Sequence, residues 1–417
     1  MTPPAPTPAR PVDLSMRRMG SGTAWLPDSG PLPGHHVMLG DWMVMVHYSL
    51  FLQYIREYGT RGAYQVGSVN WVMLAAAHPL AGGALRLRAM ASAEPWTVGA
   101  RGYPELLQVA EPYQGDIVTD HQHPHELLSE TAVQYDRAVG SDLALSIYGG
   151  PVGEPALGPV AYMHRPSAEY DPVAPLGHHL QDVTHTSFGV VTLGAFTRAV
   201  KLEGSAFNGA HPDENRTDFD PLRLDSYSGR LTVNPGPEWS VAGWFGHFAP
   251  QSGAHAHEAF DRVGLSVIHG RRDWSSTLVW GANIENGQLR NSVLVESTRQ
   301  LDRVNAIFGR AEYVRRTAEE LALVGSVSPV ARHRRAHAGL RARDRALSLS
   351  SRHGSSAGSG AVPAGGVEPV LRKQESPGGG DLAQHPTGLT SPPRTVVLTP
   401  CSPLPSGEGG RGGGGDE

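Results

Sequence analysis

The stretch Trp42-Met-Val-Met-Val-His-Tyr-Ser-Leu-Phe-Leu-Gln-Tyr54 decides the fold class. Successive side chains of an extended chain point to opposite faces. Trp42, Val44, Val46, Tyr48, Leu50, Leu52 and Tyr54 therefore share one face, which is wholly apolar or aromatic. Asp41, Met43, Met45, His47, Ser49 and Gln53 share the other, with Phe51 an apolar exception. An amphipathic helix would repeat every 3.6 residues or so, and the period of two reads as a strand. Aromatic residues stand at both ends of the apolar face.

The same pattern recurs outward from this stretch. Leu85, Leu87, Ala89 and Ala91 share a face, with Arg86 and Arg88 between them. Val263-Leu265-Val267, Leu278-Trp280-Ala282-Ile284, Val293-Val295 and Ile307-Gly309-Ala311-Tyr313 follow, the last with Arg310 and Glu312 on its other face. Strands are expected at 39–55, 64–79, 84–95, 126–138, 142–150, 186–197, 201–208, 223–233, 238–248, 260–270, 274–284, 291–300 and 304–314. The gaps between them alternate. Short ones fall at 80–83, 139–141, 198–200, 234–237, 271–273 and 301–303. Longer ones fall at 56–63, 96–125, 151–185, 209–222, 249–259 and 285–290.

Strands of about 9–11 residues, with tight turns at one end and long loops at the other, are the pattern of outer-membrane barrels. A soluble sandwich or propeller would also give short alternating strands. A propeller needs a repeat of roughly 40–50 residues, and none is found. A sandwich gives no reason for aromatic strand ends, or for Arg86 and Arg88 opposite an apolar face. The expectation is an all-β protein, an antiparallel transmembrane β-barrel of roughly 12–16 strands, with incompleteness at its C-terminus left open because the closing strands expected after about Val330 are replaced by an Arg/Gly/Ser tail. Its body spans 37–330, between a disordered Pro/Gly-rich leader (1–36) and a disordered low-complexity tail (331–417).

Composition agrees. The chain has 51 glycines and is only 39% hydrophobic, unlike a soluble helical enzyme. A net charge of -5 argues against a nucleic-acid partner. The longest apolar run, Val72-Met-Leu-Ala-Ala-Ala77, is far short of a membrane helix. Membrane insertion would then require a closed barrel, because only that also satisfies every backbone group in lipid. The single cysteine, Cys401, excludes a disulfide framework and a Cys-based zinc site.

Five further stretches carry a resemblance: Leu39-Gly-Asp-Trp-Met-Val-Met-Val-His47, Arg101-Gly-Tyr-Pro-Glu-Leu-Leu-Gln108, Asp120-His-Gln-His-Pro-His-Glu-Leu127, Met163-His-Arg-Pro-Ser167 and Pro175-Leu-Gly-His-His179. Over about 25–330 the chain resembles a family of uncharacterised, porin-like bacterial barrels associated with heavy-metal-resistance settings. The resemblance implies a location in the outer membrane of a Gram-negative bacterium, with lipid as partner, and supplies no reaction. Two roles are open: a pore for a small solute, or a surface protein that handles a ligand or metal ion.

The candidate chemistry lies in the loops and on the inward faces. His121, His123 and His125 stand at i, i+2 and i+4, and extended backbone would project them to one side as donors for copper or zinc. His164, His178, His179 and His185 lie in the next long loop. The alternative is a loop packed into the barrel mouth, its histidines bonded to backbone. Asp213-Glu-Asn-Arg-Thr-Asp-Phe-Asp220 reads as a solvated loop, with recruitment of cations as the alternative. Arg86, Arg88, Arg230, Glu296, Arg310 and Glu312 fall on lumen faces, where they either set ion selectivity or pair across the lumen and plug it.

Catalysis has little support. Gly354-Ser-Ser-Ala-Gly358 lacks the strand–turn–helix that strains a nucleophile elbow. Gly410-Arg-Gly-Gly-Gly-Gly415 has no strand before it and no helix after it. A barrel-embedded hydrolase would have to use residues such as His211 and Ser226, which no spacing links.

The ends depart from the family. No apolar segment follows Arg17 and Arg18, as a signal peptide would require. Beyond about Val330 alternation and aromatics stop, as a shift of reading frame near 330 would produce. Translation of the other frames downstream of Val330 is expected to show aromatic-ended alternating strands. Their absence from every frame would end the frameshift idea.

Overall fold

The computed structural model describes residues 12–31, 34–109, 113–115, 118–251, 258–302, 305–317 and 320–322, and the backbone of strands at 330–342, 367–375 and 394–398. The chain opens with β1 (His35–Leu39), β2 (Trp42–Arg56), β3 (Tyr64–Leu80), β4 (Gly83–Ala91), β5 (Tyr103–Val109) and β6 (Thr119–Gln122). It continues through β7 (Leu128–Val139), β8 (Leu143–Gly153), β9 (Ser187–Phe196), β10 (Val200–Phe207), β11 (Ser226–Gly236) and β12 (Trp239–Phe248). Then come β13 (Phe260–Arg271), β14 (Trp274–Glu285), β15 (Gln288–Gln300), β16 (Asn305–Thr317), β17 (Val330–Ala342), β18 (Val367–Glu375) and β19 (Arg394–Leu398). Two single-turn helices interrupt the long loops: α1 (Glu94–Thr97) and α2 (His178–Gln181).

The thirteen strands expected from alternation are β2–β4 and β7–β16. Each pairs antiparallel with its neighbours in sequence, β4 passing to β7 because β5 and β6 form a separate small sheet. The pairing continues through β17, β18 and β19 and returns to β2, a circuit of sixteen strands. This is a transmembrane antiparallel β-barrel. Its C-terminal seam is incomplete. The β16–β17 ladder has 13 residue pairs, followed by six, five and finally three, Leu52–Tyr54 against Val396–Leu398. β1 covers another part of the same β2 edge, from Trp42 to Val46. The three closing strands fall in the stretch that sequence reads as tail, where their alternation is too weak to see.

Connections alternate as expected, with one correction. The 285–290 gap is not a long loop but a hairpin turn on Asn286 and Gly287, with φ of 50° and 73°. Two consecutive positive φ values make a type I′ turn, whose twist matches the flanking strands.

Burial shows which face is which. Tyr48, Leu50, Leu52 and Tyr54 are exposed on the outer surface, whereas Met45, Gln53 and Ile55 are buried inside. Leu193 and Leu202 remain 61% and 62% exposed, as expected only where lipid replaces a protein partner. Trp239 and Trp274 begin strands at the turn end, and Tyr64 is the first and Tyr227 the second residue of strands at the loop end. These aromatics mark the two interface levels. Phe51, the exception in the pattern, points inward and clusters with Tyr170 and Phe308 because a loop fills the lumen there.

Leu265 lies midway along β13, outward-facing, between Gly243 and Trp280 of the adjacent strands. Leu265→Arg is expected to destabilise the inserted barrel by about 2–4 kcal/mol, read from reversible unfolding out of lipid vesicles. A loss within about 0.5 kcal/mol, as at an ordinary wet surface, would contradict the membrane-facing assignment.

Candidate functional site

The lumen is filled from both ends. At the turn end the occupant is the N-terminal segment, and here the expected disordered leader is corrected over residues 12–31. Its order comes from the wall rather than from its own propensity. Arg88 donates to the carbonyls of Gly20 (3.1 Å) and Gly22, and Lys201 donates to the carbonyl of Thr23. Arg230 donates to Thr23 Oγ1 at 2.8 Å. Asn234 and Ser240 donate to the carbonyls of Leu26 (3.0 Å) and Trp25 (3.1 Å). Buried carbonyls need such donors, and a Pro/Gly-rich segment without regular structure offers many. Gly22 has φ +48°, and a Cβ there would lie 2.7 Å from Glu154 Cβ. A side chain would therefore collide with the loop above.

From the loop end, the described residues of the 92–127 connection and the 154–186 connection fold inward. Arg165, fully buried, bonds Glu296 at 2.7 Å and pairs with Asp182 at 3.3 Å. Arg310 bonds Glu296 (2.9 Å) and the carbonyl of Val173 (2.6 Å). Glu312 accepts from Gly177 N at 3.4 Å. The two fillings meet at Ala24, Leu26, Val160 and Ile268. The six charged residues read as lumen-lining thus divide among three tasks. Arg86 pairs with Asp136, while Arg88 and Arg230 grip the N-terminal segment, all backed by wall carboxylates. Glu296, Arg310 and Glu312 hold the 154–186 loop. Buried pairs of this kind specify position more than they stabilise, because desolvation offsets most of the attraction.

The inward loops gather histidines. Ring centroids lie 5.5 Å apart for His125–His185, 5.3 Å for His178–His185, 5.2 Å for His178–His179 and 5.4 Å for His123–His179. Tyr162 packs against both His178 (5.6 Å) and His125 (6.2 Å). His121 does not join them. Its Nδ1 lies 3.3 Å from the Thr119 carbonyl. The one-sided projection expected for His121, His123 and His125 fails because β6 ends at Gln122 and Pro124 follows. His164 lies apart, between His47 and Trp71.

Carboxylates missed by the sequence reading orient the rings. Glu94 Oε2 accepts from His125 Nδ1 at 2.8 Å and from His125 N at 2.9 Å. Asp182 Oδ1 accepts from His178 Nδ1 at 2.7 Å, and the Asp182 carbonyl accepts from His185 Nδ1 at 2.8 Å. The spacing His178–Asp182–His185 is a local signal that could have revealed Asp182. Glu94 is 31 residues from His125 and leaves no such signal. Burial works against the Asp182 charge, but His178 and Arg165 outweigh it and hold the carboxyl at about 2. Burial, then the charges of His178 and His125, push His185 down to about 3. Burial also opposes a charge on His125, yet Glu94 raises it overall.

Two other candidates resolve differently. Ser226 Oγ bonds Asp225 (2.9 Å) and Ala249 N (3.1 Å), while the His211 ring lies against His179, so they form no hydrolytic pair. The carboxylates of Asp213, Asp218 and Asp220 converge within 4.8 Å at the surface of the acidic loop. The Gly-rich motifs at 354–358 and 410–415 lie outside the described residues.

No family model and no curated protein matches the chain. Among solved structures it is similar to Salmonella typhi OmpF in complex with daunomycin (TM-score 0.49, 7% identity, 88% of this chain and 99% of that one). It is also similar to an anion-selective porin from Comamonas acidovorans (0.46, 11%, 86% and 98%) and to Pseudomonas putida OprB (0.44, 10%, 86% and 92%). The barrel assignment itself rests on the strand pairing and burial given above.

Glu154 lies under the N-terminal segment, 3.8 Å from Arg230 and wholly buried. Burial lifts its carboxyl to about 8, although the Arg230 charge opposes the rise. A raised carboxyl contributes stability that is fully present below the ordinary value of 4.5 and lost as pH climbs through about 8. The urea concentration that releases the N-terminal segment is expected to fall between about pH 5 and pH 9, with Glu154→Gln flattening the slope. An unchanged slope in Glu154→Gln would show that another group controls it.

Proposed function

We propose that the protein is an outer-membrane pore of the Gram-negative type, held shut by its own N-terminal segment and inward loops. The outward apolar band, bounded by Trp239 and Trp274 at one level and Tyr64 and Tyr227 at the other, suits a lipid bilayer. A sixteen-stranded wall is wide enough to enclose an aqueous channel when nothing fills it. The observation that carries the reading is the grip of Arg88, Lys201 and Arg230 on Gly20, Gly22 and Thr23. Those wall charges would line a channel if the segment left. The segment joins the wall through β1 and β2 at the turn end, so it can be displaced without breaking the main circuit.

Single-channel recording in planar bilayers tests this. The native chain is expected to be mostly closed, with rare openings. Combined Arg88→Ala, Lys201→Ala and Arg230→Ala should open it far more often, because buried carbonyls lose their donors. Silence from a correctly inserted variant, or a permanently open native chain, would refute a pore closed in this way.

A further inference from the structure

We propose that His125, His178 and His185 form a binding site for a borderline-soft divalent transition metal, zinc or copper, inside the barrel mouth. It stands whether or not the lumen conducts.

The first support is the state of the rings. All three have Nδ1 engaged with an oxygen acceptor: Glu94 for His125, the Asp182 carboxylate for His178 and the Asp182 carbonyl for His185. A neutral imidazole that donates from Nδ1 carries its lone pair on Nε2. Metal-ligating histidines are held in this way, by a carboxylate or carbonyl on the other nitrogen that fixes tautomer and orientation. His178 and His185 are anchored by Asp182 within their own loop, whereas His125 is anchored by Glu94, 31 residues away, so local chain geometry does not account for all three.

The second support is unsatisfied polarity. His178 has no solvent exposure, and its Nε2 has no hydrogen-bond partner. The hydroxyl of Tyr162, buried and packed against His178 and His125, also has none. Buried polar atoms without partners cost free energy. Two of them beside three oriented imidazoles point to a ligand that accepts a nitrogen lone pair.

The third support is access. From His178 a line of imidazoles runs through His123 and His179 to His211, with centroid steps of 6.0, 5.4 and 6.2 Å. His211 lies in the long loop between β10 and β11, at the loop end of the barrel. A cation could pass along these donors to the buried triad.

The donor set selects the class of metal. Imidazole without thiolate suits zinc, copper or nickel rather than magnesium or calcium. The three Nε2 atoms do not all lie within 4.8 Å of one another, as the Asp213, Asp218 and Asp220 oxygens do. Zn–N bonds of about 2.0–2.1 Å therefore require the rings to swing inward about their Nδ1 anchors.

The test is titration of the refolded full chain in detergent with zinc and copper by calorimetry, and with cobalt by visible absorption. The expected result is one metal per chain, with cobalt bands of a nitrogen-rich low-coordinate site. His178→Ala should abolish that signature. Glu94→Gln, which keeps all three ligands and the shape of the site, should weaken affinity about 10–100-fold. His121→Ala and the Asp213→Asn, Asp218→Asn double variant should bind as the native chain does. Native affinity in both His178→Ala and Glu94→Gln would overturn the site. So would loss of binding in the aspartate double variant alone, which would move the metal to the acidic loop, or a native chain that binds none of the three metals.

Discussion

Backbone amides cannot stay unpaired in hydrocarbon, and the structure is organised around that constraint. It makes a strand seek a neighbour on each edge, and so makes a ring. It also locates the weak point. The wall ladders from β2 through β17 hold at least seven residue pairs each, whereas β18 and β19 return to β2 by six, five and three. The same ring leaves an interior shielded from lipid, and there the polar faces of β2–β4 and β7–β16 must find their own partners.

Arg230 shows how they do so. One guanidinium, 1% exposed, reaches Glu203 in the wall, Thr23 of the N-terminal segment and the carbonyl of Gly158 in the long loop. Wall, segment and loop thus meet at a single side chain. Arg165 and Arg310 repeat the arrangement around Glu296 for the loop alone. Removing a member of such a network leaves a buried charge unbalanced, at a cost of about 3–5 kcal/mol. The closed lumen is therefore a specific fit rather than a collapse of loose chain. It also gathers the histidines, because the 154–186 loop that carries three of them is held inward by these bonds.

Legibility differed from layer to layer. The strands from β2 to β16 were readable because lipid outside and polar contacts inside impose alternation directly on sequence. Arg86, Arg88, Arg230, Glu296, Arg310 and Glu312 are buried on the faces opposite the exposed apolar ones. Residues 12–31 were not readable in this way. Their order is borrowed from Arg88, Lys201, Arg230 and Asn234, which lie far away in the chain. His123 and His125 were legible as a cluster with His178, His179 and His185 only by residue type. Pro124 and the end of β6 take His121 out of the group, and Glu94 enters it from another turn of chain.

By itself the sequence determined the wall: period-two faces, aromatic ends and the positions of the turns. These depend on each residue's medium, lipid or lumen, and medium is written locally. Only the tertiary structure decided that the lumen is filled, by which segments, and which oxygens of Glu94 and Asp182 anchor the imidazoles. Those outcomes depend on hydrogen bonds between residues as distant as Thr23 and Arg230, and such bonds leave no periodic trace in either segment.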